Sequence, residues 1–130
     1  MVKGVDNIGI AVTNLARSVT FYQTLGFTKG DGYEEPVKSC TMTAGSAVLF
    51  LFETKLANPQ PVRRETTLAQ NPPGIDHISF AVEDVDQIYK DLKAKGIQFL
   101  SEPADQDWGA RMVSLKDPDG NNLYFLKWLT

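Results

Sequence analysis

An internal repeat with a spacing of 70 residues limits the folds that this sequence can adopt. Segments 5–12 and 75–82 share Asp, Ile, Ala and Val at four equivalent positions. In both copies, alternating apolar residues are followed by apolar positions at helical spacing and then by a glycine. Strict alternation is typical of a strand, and a spacing of three or four is typical of a helix. The sequence therefore predicts one strand-helix-strand unit that is used twice.

The ends of the two predicted helices carry recognisable signals. Asn14 and Asp84 stand where a side chain can cap a helix N-terminus, and Gly26 and Gly96 stand where a left-handed residue can end it. Tyr22 belongs to the apolar stripe of the first helix. We therefore expect Tyr22 to be a core residue.

The remaining elements are predicted from alternation and turn residues. Strands are predicted at 39–43, 47–53, 97–100, 108–115 and 122–128. The turn 117–121 joins the last two strands, because its Pro, Gly, Asp and Asn suit a tight turn. The glycine-rich stretch 27–36 is predicted to be the end of a short strand followed by a mobile loop.

The length of 130 residues predicts a single domain, 1–130, made of two modules. Module 1 covers about 1–56, a Pro-rich crossing segment about 57–73, and module 2 about 74–130. Each module would expose one sheet face, so we expect these faces to be buried together or against a second chain. In the crossing segment, the charged side chains of Arg63 and Arg64 are predicted to be exposed to solvent. The alternative is that they contact a ligand or a partner chain.

Composition excludes several classes of partner. The net charge of −3 and pI near 5.1 indicate no basic face, so nucleic acid is not expected. No apolar run of about 18 residues is present, so no membrane span is expected. The single cysteine, Cys40, cannot form an internal disulfide, which predicts a reducing cytoplasm.

Three segments combine with the repeat to resemble a known family. Together with the doubled pattern, residues 21–27, 108–111 and 117–121 resemble the vicinal oxygen chelate superfamily, which contains glyoxalases, bleomycin-resistance proteins and extradiol dioxygenases. The resemblance implies an α+β fold of two βαβββ modules whose mixed sheets curl into a cup. It also implies a homodimer.

The resemblance also identifies the positions of metal ligands in the metal-dependent members. The first-strand positions are Asn7 and His77, and the last-strand positions, which are glutamates in relatives, are Phe50 and Tyr124. Glu53 is the nearest carboxylate, but alternation places it on the opposite strand face. A catalytic metal needs three or more imidazole, carboxylate or thiolate ligands. We therefore expect no metal and no other cofactor.

Without a metal, the predicted cup would offer rings and a few polar groups. It would be lined by Asn7, Phe50, Phe52, His77, Ser79, Trp108, Arg111 and Tyr124. Aromatic walls with few polar groups favour a flat or partly apolar small molecule. The sequence therefore predicts a cytoplasmic small-molecule binding protein that sequesters or carries an aromatic or amphipathic compound.

Two alternatives stay open from the sequence. The first is a lyase, isomerase or dioxygenase-like enzyme that uses His77 with Tyr124 as an acid-base pair, or holds a metal weakly through His77 and an off-pattern carboxylate. The second is a dimeric scaffold without a ligand, which leaves the aromatic cup unexplained. Phe50 and Phe52 also have a plain interpretation as core residues.

Overall fold

The repeat is present in the structure as two four-stranded sheets among the described residues. A computed structural model describes residues 1–60 and 62–130. The chain divides into Met1–Gln60 (unit 1) and Pro61–Thr130 (unit 2). Each unit has one α-helix and four strands in the order βαβββ. The predicted α+β class and the two modules are therefore confirmed.

Unit 1 contains a mixed sheet and the helix α1. Its elements are β1 (Ile8–Val12), α1 (Leu15–Thr24), β2 (Thr28–Tyr33), β3 (Ser39–Ala44) and β4 (Ala47–Glu53). The strand order is β1-β4-β3-β2, with β1 and β4 parallel and the other pairs antiparallel. The connection from β1 to its parallel neighbour β4 thus consists of α1 and the β2–β3 hairpin.

Unit 2 repeats this arrangement after a short 3-10 turn, Leu68–Gln70. Its elements are β5 (His77–Ala81), α2 (Val85–Ala94), β6 (Ala104–Asp105), β7 (Ala110–Lys116) and β8 (Asn122–Trp128). The strand order is β5-β8-β7-β6, and only the β5–β8 pair is parallel. No helix in residues 1–60 or 62–130 is both long and apolar enough to cross a membrane.

Both helices begin as the sequence predicts and pack on one face of their own sheet. The Asn14 side chain accepts from the Arg17 amide (2.9 Å), and Asp84 accepts from the Gln87 amide (3.0 Å). Tyr22 is fully buried and makes edge-to-face contacts with its aromatic neighbours. The core of unit 2 includes Val85, Leu92, Val113, Leu115, Leu123 and Phe125.

Gly26 ends α1 with a backbone that only glycine adopts without strain. Its φ is +110°, and an added Cβ would meet nothing within 4 Å. The cost of Gly26→Ala should therefore come from the backbone alone, at about 1–2 kcal/mol. Gly4→Ala is the matched control, because Gly4 is exposed and also has open space around it. Urea unfolding of both variants measures the difference, and equal stabilities would contradict this explanation.

The stretch predicted as a mobile loop is largely a strand. Residues 28–33 pair with β3 through an irregular register between Lys29 and Gly32. The glycines permit this pairing, because a Cβ on Gly30 would lie 2.4 Å from the Thr41 hydroxyl. The glycines that predict a loop are therefore required by a bulge and a close strand approach.

The strand predicted at 97–100 is also displaced. The pairing there is reduced to a bridge between Phe99 and Leu115 and one backbone hydrogen bond, from the Leu100 amide to the Ser114 carbonyl (2.9 Å). The edge strand β6 begins later, at Ala104. Edge strands bond on one side only, so apolar alternation alone does not determine where they start.

Candidate functional site

His77 and Tyr124 lie together on one face of the unit 2 sheet. His77 begins β5, and Ser79 on the same strand is the direct partner of Tyr124 on β8. The ring centroids of His77 and Tyr124 are 4.4 Å apart, at an interplanar angle of 56°. Paired residues point to the same side of a sheet, so the strands bring these three predicted site residues together. We call this side the His77 face.

Asp76 contacts the imidazole directly. The Asp76 Oδ2 atom lies 2.7 Å from His77 Nδ1, and both side chains are partly buried. The hydrogen bond from His77 lowers the pKa of Asp76, and Asn71 and Arg64 act in the same direction while burial opposes them. Asp76 is therefore ionised at neutral pH and acts as an acceptor only.

Tyr124 offers a protonated hydroxyl at the same place. Tyr124 is only 5% exposed. Burial raises the pKa of Tyr124, and the negative charge of Asp76 raises it further. The phenol therefore stays neutral well above neutral pH and can donate a hydrogen bond.

Polar groups from the crossing segment surround this cluster. Asn71 Nδ2 donates to Asp76 Oδ1 (2.8 Å), and Arg64 Nη1 lies 3.7 Å from the same oxygen. Lys116 Nζ and Asn122 Nδ2 donate to the Arg64 carbonyl at 3.0 and 3.3 Å. Arg64 is therefore a half-buried part of this network, which corrects its interpretation as solvated charge.

Sequence reasoning missed Asp76 although a signal was present. Asp precedes the site position in both repeats, and Asn7 Nδ2 donates to Asp6 Oδ1 (3.0 Å) in unit 1 just as His77 contacts Asp76 in unit 2. The contact between this Asp and the next residue is thus itself repeated. Asn71 gave no comparable signal, because its contact depends on how the crossing segment folds back.

Unit 1 presents two aromatic rings on the face opposite α1. Phe50 and Phe52 are half-buried, and their ring centroids are 5.9 Å apart. Their partners on β1 are Gly9 and Ala11, which leave space beside the rings. Asn7 lies just before β1, exposed and bonded to Asp6.

Glu53 lies on the other face, as the alternation predicts. Its Oε2 atom accepts from the Leu15 amide at the start of α1 (3.0 Å). A carboxylate that caps a helix N-terminus is stabilised by the helix dipole. Glu53 therefore serves the fold of unit 1 and does not stand in for the glutamate missing at Phe50.

Arg111 lies on the face of the unit 2 sheet opposite His77, which corrects its expected place in the lining of the cup. It pairs with Lys127 on β8, and Lys127 points to the opposite face of the sheet from Tyr124. Its guanidinium makes two bonds to Asp86 on α2 (2.7 and 2.8 Å) and one to Asp105 (2.9 Å). These carboxylates raise its pKa. Arg111 thus ties α2 to the sheet.

Trp108 is exposed and contacts a second tryptophan that the sequence analysis did not select. The Trp108 and Trp128 rings meet edge-to-face at 5.4 Å, and they are 53% and 58% exposed. Trp128 lies on the His77 face, four residues along β8 from Tyr124. Exposed large aromatic residues of this kind are typical of interaction sites.

Comparison with known proteins agrees with this architecture. The family model of the Glyoxalase/Bleomycin resistance protein/Dioxygenase superfamily matches residues 4–125. The chain belongs to this superfamily. Among its relatives, YaeR of Escherichia coli (strain K12) is 29% identical over 123 residues, which are 91% of each chain. YraH of Bacillus subtilis (strain 168) is 42% identical over 53 residues, 40% of this chain and 41% of YraH.

The similar solved structures cover nearly the whole of this glyoxalase-superfamily chain. The crystal structure of SMU.1112c has a TM-score of 0.81 and 27% identity, and covers 98% of this chain and 100% of its own. By contrast, the chain spans about two fifths of the length of the Bacillus subtilis relatives that it matches.

The donors at the superfamily's metal positions do not fit a transition metal. Within residues 1–60 and 62–130, no group of three or more His, Cys, Asp or Glu side chains is arranged to hold a metal ion. With Asp76 at Nδ1, His77 keeps Nε2 for a metal, but it is a single donor, and Tyr124 and Phe50 stand where the resemblance expects the glutamates. Phenol and phenyl groups do not supply the anionic oxygen ligands that such sites need. The prediction that both units line one cup stays a prediction.

Proposed function

We propose that the protein is a small-molecule binding protein of the glyoxalase/bleomycin-resistance type, which sequesters or carries an aromatic or amphipathic compound without a metal. The observation that carries this proposal is the contact between His77 and the buried, neutral phenol of Tyr124. Both residues stand at positions that the resemblance assigns to metal ligands, so organic hydrogen-bonding groups there support a metal-free site.

The polarity of the His77 face supports an amphipathic guest. Its polar end carries His77, Tyr124 and Asn122, and its other end carries Trp128 beside Trp108. Tyr124 and Trp128 are four residues apart on one strand, which is about 13 Å. A molecule with a polar group and a fused aromatic ring system matches this length and polarity.

Two further parts of the proposal concern the state of the protein. We propose a homodimer, which the resemblance implies and which exposed aromatic residues such as Trp108 support. We also propose a cytoplasmic location, because the single thiol is free and buried. Burial raises the pKa of Cys40 and keeps it unreactive.

The test is binding by the whole protein, purified without added metal. Native mass spectrometry should detect a retained organic molecule, and elemental analysis should find no stoichiometric metal. Titration with 2-naphthol, followed by its fluorescence, should give the same affinity with and without a chelator. Binding that disappears with the chelator and returns with added zinc or manganese would contradict the proposal.

One observation favours the enzyme as a second candidate. The Asp76-His77 contact resembles the pairing that orients a histidine base, and Tyr124 supplies a nearby proton donor. If the metal-free protein converts a bound compound to a product, and His77→Ala does not, the protein is this enzyme and the binding proposal is wrong.

A further inference from the structure

We propose that Asp76 is a positioning residue: held by Asn71 and Arg64, it fixes His77 with the proton on Nδ1, so that Nε2 accepts a hydrogen bond from the guest. The guest is therefore expected to carry a hydroxyl or N–H donor, as in a hydroxylated aromatic ring. This second part rests on the proposed binding function, whereas the tautomer of His77 does not.

The tautomer follows from the charge of the partner. An ionised carboxylate has no proton to give, so the 2.7 Å contact between Asp76 and His77 requires Nδ1 to be the donor. In a neutral imidazole the other nitrogen, Nε2, then carries the lone pair. A hydrogen bond at one ring nitrogen thus decides the role of the other.

The carboxylate itself is held by groups that are fixed in turn. Asn71 Nδ2 bonds Asp76 (2.8 Å) and the Glu65 carbonyl (2.8 Å), while Asn71 Oδ1 accepts from the Glu65 amide (2.9 Å). Arg64 is anchored by a bond from Nη1 to the Pro72 carbonyl (2.7 Å). Each hydrogen-bonding group of the Asn71 amide is therefore used.

Gly74 allows this packing. Its φ is +131°, and a Cβ at this position would lie 3.0 Å from Arg64 Nη2. A side chain at residue 74 would press against the guanidinium that supports Asp76. The glycine just after the crossing segment thus leaves room for this guanidinium.

His77 and Tyr124 together favour a guest group that can both donate and accept a hydrogen bond. A neutral His77 offers an acceptor at Nε2, and Tyr124 offers a protonated hydroxyl. A neutral hydroxyl on an aromatic ring can donate to the first and accept from the second. A methyl ether of the same ring can only accept, so it loses the bond to Nε2.

The tautomer is tested by nitrogen NMR of the whole protein with labelled histidine, at a pH where the imidazole is neutral. His77 is the single histidine, so its two ring nitrogens are observed without overlap. We expect the form protonated at Nδ1 to predominate. A spectrum dominated by the form protonated at Nε2 would overturn the proposal.

Asp76→Asn should reverse the tautomer. Asn71 and Arg64 both present donors on the Oδ1 side, so the new amide should turn its oxygen towards them and its NH₂ towards His77. Nδ1 must then accept, which moves the proton to Nε2. The control is Asp6→Asn, which also removes one negative charge but at the equivalent position of unit 1, where Asp6 contacts Asn7 and not His77. An unchanged tautomer in Asp76→Asn would overturn the proposal, and so would a reversal in Asp6→Asn.

Asp76→Ala provides a second variant if the first does not fold. It removes the acceptor without supplying a donor, so both tautomers should be populated. A spectrum equal to that of the wild type would show that Asp76 does not position the ring.

The guest is tested with 2-naphthol and 2-methoxynaphthalene. We expect the wild type to bind 2-naphthol about five- to tenfold more tightly, the effect of one hydrogen bond, and Asp76→Asn to lose this preference. Equal affinities in the wild type would overturn the inference about the guest. If neither probe binds, the proposed function and this inference fail together, while the tautomer is decided separately by NMR.

Discussion

His77→Ala is expected to weaken the binding of 2-naphthol by about 10- to 100-fold. The substitution removes the hydrogen-bond acceptor at Nε2 and the imidazole ring beside Tyr124, against which the aromatic guest is expected to stack. One hydrogen bond contributes about 1 kcal/mol and a ring contact about 0.5–1.5 kcal/mol, which correspond to this loss of affinity. Isothermal titration calorimetry of the wild type and the variant measures it.

The matched control for this variant is Lys90→Ala. Lys90 is exposed on α2, the helix that covers the opposite face of the unit 2 sheet. Its removal should leave the affinity for 2-naphthol unchanged. If His77→Ala bound the probe as well as Lys90→Ala, the His77 face would not be the binding site.

Phe125→Ala should destabilise the protein by about 3–5 kcal/mol. Phe125 is 2% exposed, lies on the helix-facing side of β8 and contacts Phe99 at a centroid distance of 6.3 Å. Removal of a buried phenyl ring loses its transfer free energy and leaves a cavity. Small proteins are stable by only about 5–15 kcal/mol, so this change should be visible in urea unfolding followed by circular dichroism.

Lys127→Ala controls for the position of this substitution. Lys127 lies two residues further along the same strand and face but is exposed. Its loss should change the free energy of unfolding by no more than about 0.5 kcal/mol. Similar losses in both variants would show that Phe125 does not belong to a packed core.

The parts of the fold that follow from local patterns were predictable. Apolar runs next to turn residues identified β4 and β8, and the spacing and cap residues identified both helices, because these signals act between residues close in sequence. The glycine-rich strand β2 was not predictable, since its geometry depends on the approach of Thr41 from β3.

The candidate site shows the same division. The repeat identified His77 and Ser79 and the resemblance identified Tyr124, and β5 and β8 bring all three to one face. It did not identify Arg64 or Asn71, whose contacts with Asp76 depend on the path of an irregular segment. Arg111 was placed in the cup because its segment carries the resemblance, whereas the register of β7 on β8 puts Arg111 opposite Lys127 and on the helix side.

The repeat alone established that one strand-helix-strand unit occurs twice, and the resemblance put Phe50 and Tyr124 where glutamates are expected, because repeats and residue identities belong to the chain before it folds. Which side chains meet was settled by folding. Hydrogen bonds such as those around Asp76 require atoms within about 3 Å, and that proximity is produced by strand register and loop path. The network that orients His77 is therefore a property of the folded chain.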